Sequence, residues 1–312
     1  MNIWKKIPKK ERAGITPFLK EREKYSVSAI SRLNSGTIEN VWAFLNAEEK
    51  SMSALLLYGK RILFPVFNFS LGQIEEFKKN GLPLPSLFFL LIKKKSLHAI
   101  QGLSDDLDLL EYSLKEKSIF PVSAYEYQLR CLHYPSEYSG DYSNDYSDNF
   151  DTLVFSRDNS PDVFFGKKPE GLIIRRAKID DANELFPLQA AYEKEEVLPP
   201  GAEFNPAACR KGLETLITDN VIFTAELDGK LAGKININAQ SYNYLQLGGV
   251  YVLPEYRSLG IARAMTAALI RSYAPQKKIF TLFVKKNNAP ALRVYDSLGL
   301  KAIGEYRISY YS

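Results

Sequence analysis

Residues 251–273 read YVLPEYRSLGIARAMTAALIRSY: an apolar strand that stops at Pro254, a short loop holding Gly260, and an alanine-rich helix entered almost at once. This junction constrains the fold more than any other stretch. Proline has no N–H to give to a sheet ladder, so the strand ends there. A helix that starts directly after a strand leaves its first N–H groups unpaired and pointing at the loop, where its partial positive charge favours an anion. Gly260 removes the Cβ that would hold an anion off the backbone. Ile261 can pack inward and anchor the turn, and Arg257 offers either its side chain or its amide. Taken alone, the same residues would also suit a plain helix start packed closely on a sheet.

The rest of the chain sets the bounds. Its 312 residues suffice for two domains, and contents of 46% hydrophobic and 12% aromatic residues can fill two cores. The basic N-terminus MNIWKKIPKKERAG has no apolar run behind it, and PSLFFLLI is too short to span a bilayer. A soluble, cytoplasmic chain without membrane contact is expected. Cys131 and Cys209 match no zinc or redox spacing and read as reduced packing residues, so no metal is expected. A net charge of +5 is too small for a dedicated nucleic-acid binder. No pattern in the chain encodes an oligomeric state.

No sequence repeat is evident, but the chain changes character once. The stretch 134–151, YPSEYSGDYSNDYSDNFD, is rich in Ser, Asp, Asn and Tyr and reads as a long loop. A boundary near Lys168 to Gly171 then separates an N-terminal domain, 1–168, from a C-terminal one, 171–312. In the first, a basic amphipathic helix over Pro17–Leu33 is expected to cover a core, followed by a second helix around 37–61. Strands are expected at RILFPVFNF, SLFFLLI and SLHAIQG, and a helix with a Ser104 cap at SDDLDLLEYSL. His98 and His133 stand at isolated positions and read as packing or surface residues.

The C-terminal half is richer in signals. GLIIRRA is a strand, and two helices follow at IDDANELFPLQAAYEKEEV and NPAACRKGLETLI. Three strands joined by tight connections come next and are therefore antiparallel. Then come the helix of the opening stretch, the strand KIFTLFV, the helix APALRVYDSLG and a closing strand or two in KAIGEYRISYY. The expected fold class is α/β with a mixed, mostly antiparallel sheet and flanking helices, in two domains.

Two motifs in this order resemble the GNAT superfamily of N-acetyltransferases, over residues 171–312. The first is Arg257-Ser258-Leu259-Gly260-Ile261-Ala262 after VYVLPEY; the second is Asn288, Ala291 and Tyr295 followed by SLGL. The resemblance implies acetyl-CoA as acyl donor, its pyrophosphate on the first motif. The nine Lys or Arg against two acids between Val252 and Lys301 suit the phosphates of coenzyme A. It also implies two strands that splay to admit the pantetheine arm, here Val250, Tyr251 and Val252 on one side and TLFV on the other. Asn288 falls with the cofactor residues, and Tyr295 matches the tyrosine that donates to the leaving thiolate. Where some relatives have a glutamate base the position here is Gln246, which can order a water but cannot accept a proton.

The implied reaction is transfer of an acetyl group to an amine of a small molecule or peptide. At pH 7 only about 0.04% of a free lysine amine is deprotonated, against roughly 17% of an α-amino group. A lysine-like acceptor therefore needs a base more, and the C-terminal half has no histidine. Glu196, beside Glu193 and Glu195, could attract a cationic acceptor or simply end a solvated helix. The N-terminal half loosely resembles a degenerate GNAT domain without the first motif. Two other functions fit the pattern: a non-enzymatic coenzyme A sensor, and a tandem-GNAT aminoacyl transferase using charged tRNA, a class that lacks the pyrophosphate motif present here.

Overall fold

The structure is a computed structural model that describes residues 3–46, 51–95, 97–133, 169–199, 201–219, 221–273, 276 and 279–311. The N-terminal half runs β1 (Ile3–Lys6), α1 (Thr16–Glu21), α2 (Val27–Asn34), β2 (Asn40–Leu45), β3 (Met52–Gly59), β4 (Ile62–Phe67), α3 (Leu71–Asn80), α4 (Ser86–Lys95), β5 (Ala99–Leu103), α5 (Ser104–Lys115) and β6 (Ser123–His133). The C-terminal half repeats this order without a counterpart of α4: β7 (Leu172–Arg176), α6 (Ala182–Tyr192), α7 (Pro206–Thr218), β8 (Ile222–Leu227), β9 (Lys230–Gln240), β10 (Tyr244–Val252), α8 (Ile261–Tyr273), β11 (Ile279–Lys285), α9 (Ala289–Ser297) and β12 (Lys301–Tyr310). The fold is α/β with a mixed, mostly antiparallel sheet, as expected; that a single sheet runs through both halves was not expected.

All 12 strands form that sheet, in the order β1-β2-β3-β4-β5-β12-β6-β11-β10-β9-β8-β7. Pairing is antiparallel except at β4–β5 and β10–β11, where a helical crossover brings the chain back in the same direction. The halves exchange their last strands. β6 enters the C-terminal half between β11 and β12, with Tyr127 opposite Lys285, and β12 enters the N-terminal half beside β5, with Tyr306 opposite Leu103.

The C-terminal core lies between the sheet and α8, where Ile261, Met265, Phe280 and Leu282 pack together. The opposite face of the sheet carries α6 and, from the N-terminal half, α2, both of which contact β9 and β10. The expected helix over Pro17–Leu33 is broken into α1 and α2 by a tight turn at Glu23–Tyr25. The break has a cause in the opposite half. The Glu23 carboxylate is buried and accepts from the Ser241 hydroxyl at 2.7 Å and from the Asn243 main-chain and side-chain N–H groups.

Two further expectations for the N-terminal half are corrected. The helix expected around 37–61 is the hairpin β2–β3. Val41 and Ala43 pack into one core and Trp42 and Phe44 into the other, so an apolar run buried on both faces shows no period of 2. The strand expected at SLFFLLI is α4, in which Phe88 and Ile92 are buried one turn apart and Leu87 and Leu90 face out. Ser104 does not cap α5 but lies in its first turn, and its hydroxyl donates to Glu126. The loop expected at 134–151 lies outside the described residues.

Candidate active site

β10 and β11 run in parallel from Tyr244 opposite Ile279 to Leu247 opposite Leu282, and there the ladder stops. Beyond that point β11 continues beside β6 and β10 beside β9, and the two strands fork. The β10–β9 register also slips between Gly248 and Tyr251, forming a bulge. Gly249 sits in it with φ +58°, and a Cβ there would collide with the Asn236 side chain. Val250, Tyr251 and Val252 make up the forked end of β10, opposite Phe283–Lys285.

The loop that follows places the first motif at the start of α8. Pro254–Tyr256 form one tight turn; Ser258 and Gly260 then adopt left-handed backbone angles of +65° and +79°. A Cβ on Gly260 would meet nothing within 4 Å, so the space over this residue is open. Ile261 is 1% exposed in the core, a burial worth about 2 kcal/mol that pins the helix start. Leu259 projects outward and Ala262 is half-buried. Of the two options for Arg257, the side chain turns away from the loop: its Nε donates to the Val252 carbonyl at 3.0 Å and its Nη2 pairs with Glu195. Its amide donates to the Pro254 carbonyl at 3.2 Å, so neither group of Arg257 is left over for the loop.

Side chains from three elements converge beside the fork. Tyr295 arrives from α9, whose start Asn288 caps by accepting from the Ala291 N–H at 3.1 Å. Burial, with Tyr192 and Glu196 nearby, pushes the Tyr295 hydroxyl well above the usual tyrosine range, so it stays a proton donor. Tyr192 ends α6, and burial pushes it up to about 12 while the neighbouring Gly249 main chain pulls the other way. Tyr127 comes from the exchanged strand β6, also raised by burial, with Tyr192 and Glu196 among its charged or titratable neighbours.

The acidic turn Glu193–Val197 fastens α6 over this region. Glu195 accepts from the Tyr251 hydroxyl at 2.8 Å and pairs with Arg257; the hydrogen bond from Tyr251, then Arg257, holds its carboxyl below the usual range. Glu196 pairs with Lys285 at 2.9 Å, both side chains about a quarter exposed (28% and 23%). Glu193 accepts from Gln189. These acids are therefore tied to neighbours and do not form a free solvated helix end.

Gln246 lies apart from the cluster. It is 3% exposed, stands opposite Thr281 in the paired part of β10, and its carbonyl accepts from Ser28 of α2. Lys234, Tyr192, Tyr127 and Lys285 are site residues that neither motif contains. For Lys234 a signal existed: the alternation in KLAGKININAQ puts Lys234, Asn236 and Asn238 on one face of a central strand. Tyr127 had none, because only the strand exchange brings it here.

Comparison with known proteins agrees with this geometry. Residues 183–300 match the model of the acetyltransferase (GNAT) family. A mycothiol acetyltransferase of Acidothermus cellulolyticus is 31% identical, with 30% of this chain and 34% of that protein covered, so the chain spans about a third of that relative. Among solved structures, a GNAT-family acetyltransferase from Colwellia psychrerythraea covers 99% of this chain and 100% of its own at 13% identity and a TM-score of 0.51. A tandem GNAT protein from the clavulanic acid biosynthesis pathway covers 99% and 98% at 10% identity and a TM-score of 0.52. These two share the fold along the whole chain. With both motifs placed on the forked strands and their helices, residues 183–300 of this chain are similar in sequence to the GNAT acetyltransferase family, and the fold is that of GNAT proteins.

Proposed function

We propose that the protein is an acetyl-CoA-dependent N-acyltransferase that moves an acetyl group to an amine of a small molecule or peptide. The observation that carries this reading is the fork between β10 and β11, which leads straight into the open Gly260 turn at the start of α8 and has Tyr295 beside it. In this reading the pyrophosphate lies over the amides of residues 258–262, and the pantetheine arm takes the place that β11 vacates along Val250–Val252. The acceptor amine attacks the thioester carbonyl, forming a C–N bond and a tetrahedral intermediate. The C–S bond then breaks, the thiolate takes the Tyr295 proton, the proton shed by the amine passes to solvent, and Tyr295 regains a proton from solvent before the next turnover. Gln246, an amide bonded to Ser28, is left with a supporting role.

One donor site per chain follows from the N-terminal half. There the β4–β5 ladder also ends early, after Leu63 opposite Ile100. The two strands do not splay there: a Cβ on Gly102 of β5 would lie 3.2 Å from the carbonyl of Pro65 on β4, and the buried Asp106 of α5 accepts from the Phe67 N–H at 3.1 Å. The start of α3 is closed by Ser70 and Gln73, which cap each other's N–H groups. The gap that a pantetheine arm would need is closed by the strands themselves, and the helix start that a pyrophosphate would need is capped by the chain's own side chains. The mycothiol acetyltransferase similarity supports acetyl as the transferred group; its acceptor is not carried over.

The test is thiol release from acetyl-CoA with a panel of polyamines, amino sugars and free-α-amino peptides, with acetylated product identified by mass. Turnover with any of them supports the enzyme. Tight coenzyme A binding with no thiol release above hydrolysis would favour the sensor instead.

A further inference from the structure

Strand β9 carries a lysine into the interior of the sheet. Lys234 is fully buried on the face below α6. Its Nζ donates to the Gly249 carbonyl at 2.9 Å, reaches Asn236 Oδ1 at 3.4 Å and lies 4.2 Å from the centre of the Tyr192 ring. Burial pushes the ammonium down to about 7, while Glu193 on the acidic turn and Cys209 on α7 pull the other way. Holding an ammonium here costs stability that an apolar side chain of the same length would not.

What the lysine holds is the bulge. The β9 register passes from Gly248 opposite Asn236 to Tyr251 opposite Lys234, so Gly249 and Val250 have no partner residue on β9. Nor do they pair with β11, which has already left. Gly249 is instead gripped by a side chain: its carbonyl accepts from Lys234 at 2.9 Å, with its main chain beside Tyr192. A main chain released from both neighbouring strands would otherwise be free to shift, since its polar groups would seek partners elsewhere.

We propose that Lys234 is a positioning residue for acyl transfer: by gripping the Gly249 carbonyl it fixes the bulge that sets residues 250–252 along the fork, where the donor's thioester lies. The role rests on the acyl-donor reading of the fork. Lys234 itself touches neither donor nor acceptor.

The test compares Lys234→Met, which keeps length and removes the donor, with Lys234→Gln, which keeps an N–H. Four quantities are measured: thermal midpoint, coenzyme A affinity by calorimetry, hydrogen exchange of amides 248–252, and thiol release from acetyl-CoA with an alanyl dipeptide as probe acceptor, or with water if the dipeptide is not taken. The Met variant should melt no lower than wild type and bind coenzyme A within about two-fold. Its amides at 248–252 should exchange faster, and kcat should fall about 10- to 100-fold with KM for acetyl-CoA nearly unchanged, as expected for a reactant misplaced by about an ångström. The Gln variant should recover part of the loss. Unchanged exchange with kcat within two-fold would overturn the role, as would a kcat loss that merely tracks a fall in midpoint and coenzyme A affinity. If wild type binds no coenzyme A, the acyl-transfer reading itself falls and takes the role with it.

Discussion

The Phe67 N–H at the end of β4 donates to Asp106 Oδ2 of α5, at 3.1 Å. Burial pushes this carboxyl up from 3.8 to about 7, against the pull of the Phe67 bond and of Arg22. The folded state therefore holds the proton more tightly than the unfolded one between about pH 4 and pH 7. Stability from this group is present below pH 4 and is lost as pH rises through 7, each tenfold gain in proton affinity on folding being worth about 1.4 kcal/mol. Asp106→Asn keeps an acceptor for Phe67 and removes the charge. Its melting midpoint should lie above wild type at pH 8 and converge with it near pH 4. Parallel midpoint-versus-pH curves for the two proteins would refute this.

Gly260→Glu should abolish measurable acetyl-CoA binding or weaken it by at least about 100-fold. The open space over residue 260 accommodates the new side chain, so the protein should still fold, while the left-handed backbone angle costs about 1–2 kcal/mol. Gly260→Ala carries the same backbone cost without the charge and separates the two effects. Calorimetry showing equal affinity for the Glu variant and wild type would move the pyrophosphate elsewhere.

Tyr295→Phe removes the hydroxyl and keeps the buried ring. Turnover should drop by about 10²–10⁴-fold while the affinity for acetyl-CoA changes little, the range typical of a lost general acid. Because burial already holds this hydroxyl above the usual range, no basic limb from Tyr295 should appear in the wild-type rate profile below pH 10. A Phe variant that keeps more than half the turnover, with chemistry shown to be rate-limiting, returns Tyr295 to a packing role.

Glu196→Gln should raise KM for a cationic amine several-fold and leave that for acetyl-CoA nearly unchanged. The reason is the Lys285 partner: without the carboxylate its ammonium stands uncompensated at the fork and repels the acceptor. Lys285→Met in the same background should relieve that repulsion. If the single and double variants have the same KM for the amine, the pair has no part in acceptor binding.

The two halves differ in how far their sequence announces their structure. In the C-terminal half the order of strands and helices follows from alternation and tight turns, and two motifs locate the fork. In the N-terminal half VWAFL and SLFFLL are apolar on every side, so period alone could not tell the strand β2 from the helix α4. Asn288 and Arg257 were visible as motif residues, yet their side chains are used for a helix cap and for a tie to Glu195, which only the folded geometry shows. Lys234 could be placed on a strand face, but not beneath a bulge that depends on the register of a second strand.

The crossing of β6 and β12 also bears on how the protein is made. During synthesis from the N-terminus, β5 and β6 emerge long before the ten residues of β12 that will lie between them. Until then the first half holds an open slot with two unpaired strand edges, a natural template for a wrong strand from another chain. Completion is thus all-or-none: the segment that closes the first half is the same one that, across β6, completes the second. A nascent chain stalled before residue 301 has neither half finished, and proteins that guard exposed edges on the ribosome would have to shield both at once.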